Sequence, residues 1–161
     1  MPKLKPGSQA PDLSLTSIEG NQVKLSDLWK QGVTALVFYR GDFCPACNRY
    51  LHSLQERIGE FGEAALQLVG VSADRPDLER QTVDRHSLSF PVLSDPEHQA
   101  IDAYDVVYND QKGHAEPAVF IISPQGVLLY EAITSGPIGR PTPDDLLLIA
   151  RGIQQRQSAA A

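Results

Sequence analysis

The residues of this chain whose type and spacing could do chemistry are Cys44 and Cys47, its only cysteines. They lie two residues apart in the stretch FYRGDFCPACNRYL. A pair at this spacing can bind a metal, close a small loop, or cycle between dithiol and disulfide. Pro45 limits the backbone freedom of the turn, and two cysteines one helical turn apart can join with only local rearrangement. The pair is therefore suited to a two-electron cycle.

The segments around the pair predict a junction between a strand and a helix. Residues 33–40 form an apolar run rich in β-branched and aromatic side chains, as in a strand buried on both faces. Pro45 can occupy the first turn of a following helix, in which Leu51, Leu54 and Ile58 recur at helical spacing. A helix N-terminus exposes unpaired N–H groups and a partial positive charge, which stabilise thiolate over thiol and lower a cysteine pKa.

The remaining segments alternate between strand and helix patterns. We predict a strand at 66–73, a helix at 76–86 and a short strand within FPVLSD, an order that favours parallel pairing. Residues 117–123 and 127–133 flank a Pro-Gln-Gly turn and predict an antiparallel hairpin. A helix at 144–153, capped by Thr142 and Pro143, would cover one face of the sheet. We expect one domain over residues 1–161, with its core at 6–153 and a loose QSAAA tail.

Composition limits the setting of this chemistry. At 161 residues and 42% hydrophobic, the chain is long enough for one closed core. Its formal net charge of -6 argues against nucleic acid and anionic membranes as partners. The N-terminal stretch is polar and proline-containing where a secretory signal needs an apolar run, so we expect a cytoplasmic protein without a membrane segment. In that compartment a close cysteine pair is more often catalytic or metal-binding than structural.

Other interpretations of the pair stay open at this point. Buried cysteines can act simply as small hydrophobic side chains. A zinc site would need two further ligands, but the histidines at 52, 86, 98 and 114 lack paired spacing. Two chains could pool their cysteines around an iron-sulfur cluster, which needs four thiolates. The chain has no phosphate loop or dinucleotide fingerprint, so we expect no cofactor.

The element order, together with FYRGDFCPAC, VSADRPDLERQTVDRHSLSFPVLSDPEHQAIDAYDV and PAVFIISPQGVLLY, resembles the peroxiredoxin-like (AhpC/TSA) branch of the thioredoxin fold. The resemblance covers residues 6–153. It implies an α/β fold with a central mixed β-sheet flanked by helices, and thiol redox chemistry.

The family's peroxidase motif, P-x-x-x-T-x-x-C, aligns with this chain at the right spacing but with different residues. Arg40 stands at the motif's proline, Cys44 at its threonine and Cys47 at its peroxidatic cysteine. In the family the threonine hydroxyl and a distant arginine hold the peroxide, and the position of that arginine is Pro117 here. Both groups are missing, which argues against fast peroxide reduction. Arg40 either turns toward Cys47 as a partial substitute or is a solvated residue at a strand end.

A second resemblance, to thioredoxin, concerns the residues around the pair. Thioredoxins place a cis-proline beside their disulfide, so the resemblance predicts a cis bond before Pro117. They also carry a buried aspartate six residues before the first cysteine, where this chain has Phe38. Glu116 is then the nearest candidate for proton transfer, or else a solvated loop carboxylate. Arg140 could approach the site from its loop, or be a surface arginine before a helix.

Three functions follow as hypotheses. The first is a thiol-disulfide oxidoreductase acting in antioxidant defence or thiol redox homeostasis, in which Cys44 attacks the partner and Cys47 resolves the mixed disulfide. The second is a thiol-dependent peroxidase with Cys47 peroxidatic and Cys44 resolving. The third is a non-catalytic module that binds an iron-sulfur cluster between two chains. The redox hypotheses require a disulfide or peroxide substrate and a reductant such as a thioredoxin, a glutaredoxin or a small thiol. The oligomeric state stays open between a monomer and a homodimer.

Overall fold

A computed structural model describes residues 4–160 and shows a mixed β-sheet with helices on both faces. In chain order the strands are β1 (Ser14–Ser17), β2 (Gln22–Lys24), β3 (Thr34–Phe38), β4 (Gln67–Ser72), β5 (Val92–Ser94), β6 (Tyr108–Asn109), β7 (His114–Ala115), β8 (Ala118–Ile122) and β9 (Leu128–Ile133). The helices are α1 (Leu25–Trp29), α2 (Pro45–Glu56), α3 (Ile58–Glu63), α4 (Pro76–His86), α5 (Gln99–Ala103) and α6 (Pro143–Ala160).

The main sheet has the strand order β2-β1-β5-β4-β3-β8-β9, while β6 and β7 form a separate small hairpin. β3 pairs in parallel with β4, and β4 with β5, as the β-α-β order predicted. β8 runs antiparallel to both β3 and β9, which confirms the predicted hairpin. Because β8 is antiparallel to β3, and β3 is parallel to β4, the first residues of β8 lie at the same edge of the sheet as the last residues of β3 and β4. Three distant segments therefore meet at that edge.

The buried side chains form one cluster on each face of the sheet. Ala35, Val37 and Tyr39 belong to the cluster that also contains both cysteines and the helix residues Leu51 and Leu54. The intervening strand residues Leu36 and Phe38 belong to the cluster under α1 and α5. This alternation is the pleat of a strand buried on both faces. The predicted apolar face of α2 is thus confirmed, and it holds the cysteines in the core.

Some elements differ from the sequence-based expectations. The helix expected to continue through Ile58 is interrupted at Arg57, which lies at φ -111° and ψ 20° between α2 and α3. The expected loose tail is wrong for residues 157–160, because α6 continues to Ala160. Alanine has the highest helix propensity, so the tail extends a helix already anchored by buried Ile153. The hairpins β1–β2 and β6–β7 were not predicted at all.

None of the helices in residues 4–160 combines the length and the apolar character needed to cross a bilayer.

Candidate active site

The two cysteines lie where the sequence placed them, at the start of α2. Cys44 is the N-cap residue, with extended backbone at φ -91° and ψ 110°, and Pro45 occupies the first helical turn. The backbone N–H of Cys47 donates to Cys44 Sγ at 3.3 Å. Both cysteines carry free thiols and both are buried, Cys44 at 2% and Cys47 at 0% exposure. The N-terminal N–H of the helix is therefore directed at the sulfur of Cys44.

Cys47 has a different environment from Cys44. Its Sγ accepts a hydrogen bond from the backbone N–H of Arg40 at 3.4 Å. Burial raises the pKa of the Cys47 thiol to about 11, against the lowering effects of the Arg140 charge and of this N–H. The pKa of Cys47 is therefore raised, not lowered as expected at a helix N-terminus, because desolvation of the thiolate is the largest effect on it.

Within residues 4–160 the Arg40 guanidinium makes no hydrogen bond to Cys47, and it does not lie in solvent. Its Nη2 is 2.9 Å from His114 Nε2, and its Nε is 3.5 Å from Glu116 Oε2. The Arg40 side chain is 13% exposed and that of Glu116 is 4% exposed. The Phe43 ring lies over the guanidinium, 5.9 Å from its carbon. Both expectations for Arg40 are therefore wrong: its side chain is engaged in a buried polar group.

His114 and Glu116 come to this group from the segment just before β8. His114 Nδ1 lies 3.0 Å from the carbonyl oxygen of Ala115, which assigns the proton to Nδ1 and leaves Nε2 to accept from Arg40. At 4% side-chain exposure, Glu116 is not the solvated loop carboxylate that the sequence allowed. Within residues 4–160 no hydrogen bond joins Glu116 to either sulfur.

Pro117 precedes β8, as the sequence predicted, but its peptide bond is trans, like every other in residues 4–160. The predicted cis bond is therefore wrong. The Pro117 carbonyl accepts hydrogen bonds from the Thr134 N–H at 3.1 Å and from Thr134 Oγ1 at 2.8 Å. Pro117 thereby extends the pairing of β8 with β9 as ordinary strand backbone.

Arg140 approaches the site from the loop before α6. Its guanidinium lies 4.3 Å from the centre of the Tyr50 ring, one helical turn after Cys47. The Tyr50 hydroxyl donates to the Pro141 carbonyl at 2.6 Å, which fixes this loop against α2. The positive charge of Arg140 lowers the pKa of Cys47, although burial has the larger effect. Of the two expectations for Arg140, approach to the site matches this geometry and a surface arginine without a role there does not.

The C-terminal half of α4 holds the loop that carries Cys44. Thr82 Oγ1 and Arg85 Nη1 donate to Asp42 Oδ1 at 2.7 and 2.8 Å. Burial opposes ionisation of Asp42, but the hydrogen bonds from Arg85 and Thr82 lower its pKa overall. Asn48 Nδ2 donates to the carbonyls of Asp42 and Cys44, both at 2.8 Å.

These hydrogen bonds between α4 and the cysteine loop were not predicted from the sequence. A signal was available in the polar side chains of Thr82, Arg85 and His86, which share one face of α4 at helical spacing.

Gly41 shapes the same loop. Its φ of +151° is one that L side chains rarely adopt, and a Cβ there would lie 2.8 Å from the Phe43 ring. Phe43, next to Cys44, is 58% exposed. The glycine therefore permits the turn that places an exposed aromatic ring beside the cysteine pair.

A buried carboxyl group lies beneath this loop. Glu79 is 0% exposed, and the Ser72 hydroxyl donates to its Oε2 at 2.7 Å. Burial raises the pKa of Glu79 to about 9, and the carboxyl groups of Asp74 and Asp95 add to the effect. Asp74 Oδ2 in turn accepts from the Asp42 N–H at 2.8 Å, which joins this region to the cysteine loop.

Comparison with known proteins supports a common origin with thiol enzymes. The model of the AhpC/TSA family matches residues 6–131. The peroxiredoxin Bcp of Bacillus subtilis is 32% identical over 130 residues, which cover 78% of this chain and 82% of that protein. The thiol-disulfide oxidoreductase ResA of Halalkalibacterium halodurans is 35% identical over 101 residues, covering 62% of this chain. That match spans only 56% of the length of ResA.

Solved structures show the same fold at lower identity. The peroxidoxin BcpB of Mycobacterium tuberculosis has a TM-score of 0.81 at 21% identity, covering 93% of this chain and 97% of that one. The AhpC of Enterococcus faecalis has a TM-score of 0.84 at 23% identity, covering 97% and 96%. The central mixed sheet and flanking helices are therefore those of a peroxiredoxin-type thioredoxin fold.

Proposed function

Because this chain belongs to the AhpC/TSA family, we propose that it is a thiol-disulfide oxidoreductase that cycles Cys44 and Cys47 between dithiol and disulfide. The observation that carries the proposal is the unequal environment of the two sulfurs. Cys44 Sγ receives an N–H from the start of α2, the contact that suits an attacking thiolate. Cys47 Sγ lies instead against the Arg40 N–H, and its pKa of about 11 keeps it a thiol at neutral pH.

These environments suggest an order of events. The Cys44 thiolate attacks one sulfur of a substrate disulfide, forms a mixed disulfide and releases the other sulfur as a thiolate. Cys47 then gives up its proton and attacks Cys44 Sγ, which releases the remaining substrate sulfur. The substrate gains two electrons, and the protein is left with a Cys44–Cys47 disulfide. A thiol reductant such as a thioredoxin, a glutaredoxin or a small thiol returns it to the dithiol.

One hydrogen bond to Cys47 and one nearby charge fit its role as the leaving group of the reductive step. When a reductant attacks Cys44, Cys47 departs as a thiolate and accepts the Arg40 N–H hydrogen bond, which is 3.4 Å long in the dithiol form. The charge of Arg140 stabilises the same thiolate, because it lowers the pKa of Cys47. Arg40, through its backbone, and Arg140, through its guanidinium, are therefore the proposed supports of Cys47.

A thiol peroxidase with Cys47 peroxidatic and Cys44 resolving is the second candidate. It is favoured by the Arg140 charge at Cys47, the kind of group that holds a peroxide. It is opposed by the high pKa of Cys47 and by the engagement of the Arg40 side chain with His114 and Glu116. A cluster shared between two chains has less support, because it needs four thiolates and one chain supplies two.

The test uses the two single cysteine variants. With Cys47→Ser, the proposal expects a stable mixed disulfide between Cys44 and a disulfide substrate, detected by mass spectrometry. With Cys44→Ser, it expects little reaction with such substrates. In the wild-type protein, thiols should be lost faster with a disulfide than with equimolar hydrogen peroxide. Rapid loss of two thiols to peroxide, with sulfenic acid at Cys47 in Cys44→Ser, would establish the peroxidase instead.

The proposed setting remains the cytoplasm, with no cofactor and with peroxide or protein disulfides as the alternative substrates. The proposal makes no use of a homodimer, since the cysteines, Arg40 and Arg140 all come from one chain.

A further inference from the structure

The buried polar group of Arg40, His114 and Glu116 has no role in the exchange cycle just described. Its position is nevertheless close to the chemistry, because the backbone N–H of Arg40 donates to Cys47 Sγ. The guanidinium is thus attached to a residue that already contacts the reactive sulfur. Within residues 4–160 its side chain makes no hydrogen bond to that sulfur, and contacts His114 Nε2 at 2.9 Å and Glu116 Oε2 at 3.5 Å instead.

Electrostatics makes Glu116 the important member of this group. His114 Nε2 lies 2.9 Å from Arg40 Nη2, whereas Glu116 is the one carboxylate of residues 4–160 that lies within 4.0 Å of the guanidinium. Both side chains are largely withdrawn from water, so an unpaired charge on either would be costly. The pair is not ideal, however: Arg40 Nε and Glu116 Oε2 are buried, yet their contact lacks hydrogen-bond geometry. Because this ion pair lacks a hydrogen bond, the guanidinium can exchange Glu116 for an anion that it contacts with better geometry.

We propose that Glu116 is a specificity-determining residue: its carboxylate holds the Arg40 guanidinium away from Cys47 and so restrains peroxide reduction in favour of thiol-disulfide exchange. The inference rests on the proposed function. Without the Glu116 charge, the Arg40 guanidinium loses its carboxylate partner. The Cys47 thiolate, whose sulfur already contacts the same residue through its N–H, is then an anion that it can serve. A guanidinium there stabilises both the thiolate and the oxygen that leaves the peroxide.

The restrained reaction is balanced in two steps. The Cys47 thiolate attacks one oxygen of hydrogen peroxide, the O–O bond breaks, and Cys47 becomes a sulfenic acid while hydroxide leaves and takes a proton to form water. The Cys44 thiolate then attacks the sulfenic sulfur, and the displaced hydroxide is protonated to a second water. Two thiols and one peroxide thus give one disulfide and two waters.

The experiment removes the charge of Glu116 while nearly keeping its shape. In a Cys44→Ser background, the Cys47 pKa is measured from thiolate absorbance with and without Glu116→Gln. An opposite charge brought near the sulfur should lower that pKa by about one unit, and the thiolate fraction at pH 7 should then rise about tenfold. Peroxide-dependent sulfenic acid formation at Cys47 should rise by the same factor. Disulfide exchange through Cys44, measured with both cysteines present, should change much less.

Two controls isolate the cause. In Glu116→Gln/Arg40→Met the guanidinium is gone, so the tenfold gain should disappear. Glu79→Gln makes the same substitution at another buried carboxyl group, one that contacts Ser72 rather than Arg40, and should give no gain. If Glu116→Gln does not fold, Glu116→Asp keeps the charge but shortens its reach, and a smaller gain of the same sign is expected.

The inference is overturned if folded Glu116→Gln changes neither the Cys47 pKa nor the peroxide rate. A gain that persists after Arg40→Met also overturns it, because Glu116 would then act on Cys47 without Arg40. The proposed function is tested separately by the wild-type protein. If that protein reacts with peroxide but not with disulfides, the proposed function fails whatever Glu116→Gln does.

Discussion

Glu79→Gln should stabilise this protein at neutral pH, and by an amount that depends on pH. The Glu79 carboxyl group is fully buried between α4 and the sheet, and its pKa rises from an ordinary 4.5 to about 9. In the folded protein the group therefore keeps its proton at pH 7, whereas in the unfolded chain it is ionised. Folding at pH 7 must take up that proton, which glutamine does not require.

The magnitude follows from the two pKa values. Because the folded pKa is the higher one, the stability from this group is fully present below pH 4.5 and is lost as pH rises toward about 9. Each pH unit in that window lowers the free energy of unfolding by about 1.4 kcal/mol for one proton. From pH 4.5 to pH 7 the loss is about 3 kcal/mol. Glu79→Gln should recover up to about that amount at pH 7 and almost nothing near pH 4.5, since its amide oxygen can still accept from Ser72.

Urea unfolding at several pH values between 5 and 8, followed by the fluorescence of buried Trp29, measures the effect. The wild-type free energy of unfolding should fall more steeply with pH than that of the variant. Glu63→Gln makes the same substitution at an exposed position and should leave the pH dependence unchanged. Parallel curves for Glu79→Gln and the wild-type protein would refute the reasoning, because Glu79 would then not retain a proton on folding.

Three further predictions concern the site. Arg140→Gln should raise the pKa of Cys47, because a charge that lowers that pKa is lost. Thiolate absorbance in a Cys44→Ser background measures the change, and Arg49→Gln at an exposed position should leave the Cys47 pKa unchanged. Gly41→Ala should cost about 1–3 kcal/mol in urea unfolding, because of its positive φ, and adding Phe43→Ala should recover part of that loss by removing the ring contact. Asn48→Ala should lower the free energy of unfolding by about 1 kcal/mol in the same assay, because the carbonyls of Asp42 and Cys44 lose their donor; an equal stability would show that water replaces the amide.

Much of the fold could be predicted from local sequence. Long apolar runs located β3 and β4, and Pro45, Pro76 and Pro143 mark the first turns of α2, α4 and α6. These signals are local, since proline fixes its own backbone and a run of β-branched residues favours a strand wherever it lies. The position of the cysteine pair at the strand-helix junction was predictable for the same reason.

The environment of the site was less predictable, because it depends on contacts between distant segments. The partners of Arg40 follow from the register of β8 against β3, which no local pattern encodes. The pKa of Cys47 is set by how completely the core covers it, an effect opposite in sign to that of the helix terminus. The prediction of a cis bond before Pro117 followed from the resemblance to thioredoxin alone. Every peptide bond in residues 4–160 is trans, so Pro117 occupies the position of the thioredoxin proline without its cis geometry.

Newly synthesised chains present the two cysteines long before the segments that enclose them. His114, the partner of Arg40, follows it by 74 positions, and the core residues Val119, Ile121 and Leu146 that share a cluster with the sulfurs come later still. A chain on the ribosome that has not yet paired β8 with β3 therefore carries open thiols, free to form mixed disulfides with unrelated molecules. Recombinant protein should accordingly be refolded under reductant and oxidised only once its sheet is complete.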